Sequence, residues 1–403
     1  MKKAIICIML ISYLTVAAGC EAKLLPQRRE IDEQQLVQVI GIDKVTGSEN
    51  DCIITVASKN ISGETQSGKS DGGAGEESKG KKALILSAEG KSVFDAVRNI
   101  QTHSDKTIFW GHIDYCLIGE EAARENITKY IDFFTRDHEL RIDYKIYIVR
   151  GSTVKDLIEE FNKSEYYIQE KLESLGKSHK LLGTSDELKD HELIRFLDIH
   201  GGSARVPCIT LTVRQGNDGQ VPDIESCGYA LISEEKLVDF IERDISRGVN
   251  LIANKIDSSV AVVKDMDGQD VSLEIIQSKT DVIPHFDGDM ITGVTLKTKV
   301  MANIDEIQSH VDIKSKQFIQ YLEAQLSDVL KREMEAVIKK VVENESDCLG
   351  ICDRISLKSP IKWHKIKNQW LELMLKIKYE VEVSSKIKDT YDIKEPTGSK
   401  GEG

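Results

Sequence analysis

Val294-Thr295-Leu296-Lys297-Thr298-Lys299-Val300-Met301-Ala302-Asn303-Ile304-Asp305 decides the reading of the C-terminal half. Val294, Leu296, Thr298, Val300, Ala302 and Ile304 alternate with more polar neighbours, the period of a strand with one buried face. Downstream, Phe318, Leu322, Leu326, Leu330, Val337 and Val341 recur at helical spacing, which predicts a long helix over 312–342. Leu371, Leu373, Leu375, Ile377, Tyr379, Val381 and Val383 alternate again, which predicts a second half-buried strand over 371–383. A long helix between amphipathic strands predicts an antiparallel sheet with helices on one face, an α+β domain.

Toward the N-terminus the pattern changes. Strand-like runs at 36–42, 52–57, 83–87, 113–118 and 144–149 are interleaved with helical periodicity at 92–102, 120–134 and 153–161. This alternation predicts a mixed α/β part. Ser92 and Asp95 are placed as helix-start residues. Residues 165–191 are polar and helical in composition. Gly201-Gly202, Pro207 and Pro222 read as breaks, 228–232 as a strand, and 233–244 as a short helix. The expected fold class is therefore mixed α+β and multi-domain. The expected division is a leader at 1–19, an N-terminal domain at 20–200, a connecting segment or small middle domain at 201–225, a C-terminal domain at 226–394, and a disordered tail at 395–403.

The leader begins Met1-Lys2-Lys3, runs apolar over 4–16, and ends Ala17-Ala18-Gly19-Cys20. A basic start, a short apolar run and small residues form a secretory signal peptide. The apolar run is shorter than the roughly 20 residues that a membrane span needs. Cysteine directly after the small residues is a lipobox. Cys20 is therefore the expected lipid attachment site, S-diacylglycerol on its thiol and an acyl chain such as palmitate on its freed amine. Two or more chains anchor stably where a single chain does not. Beyond the leader no run of about 18 apolar residues occurs, so the remainder is expected to be soluble.

The chain of 403 residues has 54 Lys and Arg against 67 Asp and Glu, a net charge of −13. Such a surface repels nucleic acid, and no nucleic-acid partner is expected. Cys52, Cys116 and Cys208 lie in strand-like runs and read as small buried apolar residues with free thiols. Cys227 completes an even count after Cys7 and Cys20 are set aside. Cys348 and Cys352 form the only close pair, and their redox state stays open. His364 is the nearest further ligand, but a structural zinc site wants four ligands at recognised spacing. No metal and no cofactor are expected.

Gly63-Glu64-Thr65-Gln66-Ser67-Gly68-Lys69-Ser70 fits the phosphate-loop pattern letter for letter. That chemistry needs a helix to follow, and Asp71-Gly72-Gly73-Ala74-Gly75 cannot start a stable one. Residues 62–82 hold almost no apolar side chain and read as a mobile loop. His103, His112 and His138 show no fixed ligand spacing. Arg136, Asp137, Glu139 and Arg141 read as a solvated turn. Trp363 and Trp370 read as core or sheet packing. No H-E-x-x-H or G-x-S-x-G pattern occurs, so no catalytic residue is assigned and no enzymatic activity is expected.

The ordered segments resemble the Ger(x)C family, the lipoprotein C subunits of spore germinant receptors. They are Cys20, then Arg28-Arg29-Glu30-Ile31, then Gly41-Ile42-Asp43, then Gly90 opening a helix, then Gly111-His112. Arg136-Asp137-His138-Glu139-Leu140-Arg141, the segment 228–236, the long helix and the pair Trp363 and Trp370 follow. The chain departs from the family in lacking a Trp within 21–27 and in carrying Cys348-Leu349-Gly350-Ile351-Cys352 where a Gly-aromatic-Gly turn is usual. The segment 62–82 looks like an insertion.

The resemblance implies a non-enzymatic protein of three structural domains on the outer face of the inner spore membrane. It implies partnership with an A subunit and a transporter-like B subunit in a complex that senses nutrients and triggers germination. The competing expectation is a solute-binding lipoprotein of an uptake system, which would show two like lobes around a cleft.

Overall fold

The computed structural model describes residues 33–59, 83–137, 139–141, 143–164, 166–199, 201–216, 219–307 and 315–388. The N-terminal elements are β1 (Gln34–Leu36), β2 (Val39–Lys44), β3 (Cys52–Lys59), β4 (Ala83–Gly90), α1 (Val93–Ile100), β5 (Thr107–Phe109), β6 (Tyr115–Gly119) and α2 (Glu120–Arg136). Then come β7 (Lys145–Arg150), α3 (Val154–Phe161), α4 (Ile168–Leu182), α5 (Asp190–Ile199), β8 (Ala204–Gly216), β9 (Gly219–Ser233) and β10 (Lys236–Ile241). Apart from a small parallel pair, β1 with β5, the strands form one eight-stranded sheet in the order β10-β9-β8-β7-β6-β2-β3-β4. Its centre, β8-β7-β6-β2, is parallel. Antiparallel hairpins extend both sides.

Helices cover both faces, as a parallel centre requires. Period-two alternation assigns the side chains. Cys116, Ile118, Ile146 and Ile148 join α1, α2 and α5 in one core. Tyr115, Leu117, Tyr147 and Val149 join α3 and α4 in the other. The helix starts follow the expected chemistry. Ser92 Oγ accepts the Asp95 amide at 3.2 Å while Asp95 accepts the Lys91 amide at 2.9 Å.

The C-terminal elements are α6 (Arg243–Ala253), β11 (Ser259–Lys264), β12 (Asp270–Asp287), β13 (Met290–Ile307), α7 (Lys316–Glu343), α8 (Ile351–Lys358), α9 (Pro360–Ile366), α10 (Trp370–Met374) and β14 (Lys378–Ile387). The sheet order is β11-β12-β13-β14. Phe318, Leu322, Leu326, Leu330, Met334, Val337 and Val341 of α7 bury against Leu296, Val300 and Val381 in a third core.

The mixed, multi-domain fold class agrees with expectation, and several local expectations do not. The last strand pair, β13 with β14, is parallel, whereas β11, β12 and β13 are antiparallel. One long helix carries the chain back along the sheet, so the next strand starts from the same end as the last and must run parallel to it. The predicted strand over 371–383 starts only at Lys378. Its first part, Trp370–Met374, is helical. Leu, Glu and Met are strong helix formers, and Met374 interrupts the apparent alternation.

Residues 236–241 are strand β10 rather than a helix, with the helix displaced to α6. Glu234 (φ 47°) and Glu235 (φ 64°) make the two-residue hairpin loop, a conformation usually signalled by Asn-Gly. Pro207 and Pro222 are not breaks but lie within β8 and β9. Pairing with β7 begins one residue after Pro207, and pairing with β10 covers only 229–233 of β9. Each proline thus has a strand partner on one side only, the edge-like setting in which a missing amide is tolerated. Cys208 is not a free thiol. It forms a disulfide with Cys227, the two Cα atoms 5.4 Å apart. The β8–β9 register places Cys208 opposite Gly228, which the spacing of the cysteines did not reveal.

Candidate functional site

Cys20, His138 and the whole phosphate-loop match, Lys69 included, lie outside the described residues. The remaining sequence candidates do not converge. His103 and His112 are exposed, on separate turns. His364 is exposed on α9 while Cys348 and Cys352 are buried thiols. Among the described residues no group of three or more His, Cys, Asp or Glu side chains is arranged to hold a metal ion. Burial pushes the Cys52 thiol up to about 11 and the Cys348 thiol up to about 12. Cys116 and Cys352 are raised further by the same cause. These thiols stay protonated and are poor nucleophiles. Arg136, Asp137, Glu139 and Arg141 form the surface turn that the sequence suggested. Arg136 reaches Asp132 at 2.8 Å, and Asp137 accepts the Glu139 amide at 2.8 Å.

The segment Gly41-Ile42-Asp43 has a defined structural task. Asp43 Oδ1 accepts the Val154 amide at 2.8 Å and Oδ2 accepts the Lys155 amide at 2.9 Å. A carboxylate at the end of β2 thereby satisfies two free amides at the start of α3. Burial raises the Asp43 pKa, and the two amides oppose that shift. A Cβ on Gly41 would stand 2.4 Å from Val154 Cγ1, and one on Gly119 would stand 2.3 Å from Asp43 Oδ1. Both glycines are places of close approach.

A second junction joins α2 to the β9–β10 loop. Asn126 leaves helical geometry, and the freed Ile127 amide donates to the Glu235 carbonyl at 2.8 Å. Asn126 Nδ2 donates to the Glu235 carboxylate at 3.0 Å, and the Glu235 amide donates to Gly202 O at 2.8 Å.

The most elaborate polar arrangement lies where the two large sheets meet. Arg205, 4% exposed, donates to the Cys348 carbonyl at 2.9 Å. It stands 3.7 Å from Asp186, which also holds Lys255 at 2.7 Å. Asn250 accepts from Tyr229 at 2.6 Å and donates to the carbonyls of Gly183 and Ser185. Asp347, fully buried, accepts the Trp370 indole at 2.6 Å and the amides of Ile351 and Cys352. Beside this seam is an open cavity of about 340 Å³ lined by His179, Ser185, Asp186, Lys255 and neighbours. Burial lowers the His179 pKa and keeps its ring neutral. Charged groups here are paired with fixed partners, the chemistry of a rigid joint.

Sequence reading missed Arg205, Asp186, Asn250 and Asp347, because their partners lie in distant parts of the chain. Only Arg205 left a signal, one cation inside the apolar run Ala204-Arg205-Val206-Pro207-Cys208-Ile209.

Comparison with known proteins covers most of the chain. Residues 27–211 match the family described as Spore germination protein N-terminal domain. Residues 227–391 match the family described as Spore germination B3/GerAC like, C-terminal. The chain belongs to the Ger(x)C family of spore germination proteins. It is 20% identical to Spore germination protein KC of Bacillus subtilis (strain 168), over 96% of each chain. It is 24% identical to Spore germination protein B3 of the same organism, over 75% of this chain and 79% of that one. The fold is similar to the crystal structure of the GerBC protein, with a TM-score of 0.55 at 20% identity, covering 86% of this chain and 96% of that one. In this Ger(x)C protein the stretch between the two matched regions falls in the β8–β9 hairpin, so the eight-stranded sheet runs through it.

Proposed function

We propose that this protein is the lipid-anchored, non-catalytic C subunit of a nutrient germinant receptor. Cys20 carries the lipid and holds the body on the outer face of the inner spore membrane. There it assembles with the A and B membrane subunits and is needed for germination. One observation carries the reading. Cys20 directly follows a basic, apolar and small-residue leader and stands just before the family-matched region, which begins at residue 27. Among the described residues no helix is long and apolar enough to cross a membrane. The paired charges of the seam and the protonated thiols support a structural role.

Cys20→Ala tests the anchor. After a high-salt wash the variant is expected in the soluble fraction of disrupted spores, with nutrient-triggered germination impaired and A- and B-type subunits no longer co-purifying with it. A variant that stays membrane-bound in high salt and mild alkali would refute the lipid. Spores that lack the protein and every paralogue yet germinate normally on all nutrients would refute the receptor role.

A further inference from the structure

We propose that the corner between α8 and α9 is a second membrane contact, one that recognises the anionic headgroups of a bilayer. Leu357 is 82% exposed and Ile361 is 79% exposed, the two most exposed large apolar side chains among the described residues. They flank the turn Lys358-Ser359-Pro360. Solitary exposed leucines are ordinary, but two nearly naked aliphatic residues four positions apart across one helix junction have no use in the core.

The charge around them identifies the occupant. From Arg354 to Lys378 the sequence holds seven Lys and Arg residues and one Glu, in a chain of net charge −13. Lys358, Lys365 and Lys367 are exposed and Lys362 is half-buried. Lys358 and Lys367 have no acidic partner among the described residues. Lys362 lies 4.5 Å from the centre of the Phe286 ring. Lys365 holds Asp289 of the adjoining β12–β13 hairpin at 2.6 Å, which offsets the charge of that acid. Asp287 is the other acid on that hairpin tip, next to exposed Met290.

Apolar tips ringed by lysines are the pattern of an interfacial membrane contact, where aliphatic groups enter the headgroup boundary and cations meet anionic lipid. Each such cation multiplies affinity by about fivefold. On a chain of net charge −13, a basic, apolar corner favours the orientation that turns it toward an anionic surface. The contact would thus set the tilt of the protein on the membrane.

The proposal shares with the proposed function the premise that the protein works at a bilayer, and the test separates the two. The chain from residue 20 onward, with Cys20→Ser, carries no lipid and retains every core residue among the described residues. Its sedimentation is measured with vesicles of phosphatidylcholine alone and with vesicles containing phosphatidylglycerol. Binding is expected only to the anionic vesicles and should weaken with salt. Lys358→Gln with Lys367→Gln should weaken it about 25-fold. Leu357→Ser with Ile361→Ser should weaken it more than tenfold. An environment-sensitive dye on Ile361→Cys should shift to the blue on binding.

Failure to bind anionic vesicles overturns the proposal, whatever the lipid on Cys20 does in the wild-type protein. So do wild-type binding by both double variants, or a dye that reports water in the bound state. A crosslinker on Ile361→Cys that captures a receptor subunit in spore membranes, with no dye shift on pure lipid, would assign the corner to a protein partner instead.

Discussion

Asp43 and Val154 are 111 residues apart in sequence, and the Asp43 carboxylate accepts the Val154 amide at 2.8 Å. Asp43→Ala strands two amides at the start of α3 and is expected to cost about 2–4 kcal/mol, a lost cap with a second buried donor unsatisfied. Asp43→Asn keeps one acceptor oxygen and should cost roughly half as much. Urea unfolding of the two variants checks the order, and equal losses would exclude the capping account.

Gly41→Ala places a methyl 2.4 Å from Val154 Cγ1. It is expected to destabilise by about 1–3 kcal/mol through overpacking. Val154→Ala on its own leaves a cavity, but combined with Gly41→Ala it removes the clash. A double-mutant cycle should therefore show a favourable coupling of about 1 kcal/mol. Additive losses would mean that the strain is relieved elsewhere.

Trp370→Phe keeps the apolar contact and deletes the indole donor to Asp347. Asp347 is fully buried and keeps the Ile351 and Cys352 amides as donors. A loss of about 1–3 kcal/mol is expected. The change in near-ultraviolet circular dichroism should localise to the Trp363–Trp370 pair, whose rings are 5.5 Å apart.

Glu125 accepts from the Tyr130 hydroxyl at 2.6 Å and from Lys129 at 3.0 Å. The Tyr130 bond and the lysines hold its carboxyl down at about 2. A folded-state pKa below the ordinary 4.5 gives a stabilisation that is complete above that value and lost as pH falls toward 2. Glu125 is partly exposed, so solvent screening limits the effect to about 1 kcal/mol. The stability gap between wild type and Glu125→Gln, measured in urea, should be widest near neutral pH and close near pH 2. A gap independent of pH would rule out the ionic account.

Cys208→Ala with Cys227→Ala opens a loop of sequence separation 19 and should cost about 3 kcal/mol. Mass spectrometry of the native protein should show that this pair resists alkylation, while Cys52, Cys116, Cys348 and Cys352 alkylate only after unfolding, because all four are buried.

Periodicity along the chain determined most of the elements. The alternation from Val294 to Ile304 and the stripe on α7 were legible because strand and helix each repeat with a period set by the backbone alone. The cap at Ser92 was legible because its partner is three residues away. The expected leader and the proposed lipid site at Cys20 rest on residue order and residue type alone. Tertiary structure decided what depends on distant partners. The parallel pairing of β14 came from the path of α7, and the strand at 236–241 came from two glutamates held at positive φ against Asn126 and Gly202. The Cys208–Cys227 bond came from the β8–β9 register. None of Asp43, Arg205 and Asp347 shows its partner in the chain. Each acquires its role only when folding brings up the amide, carbonyl or indole that satisfies it, because a buried charge is tolerable only beside such a partner.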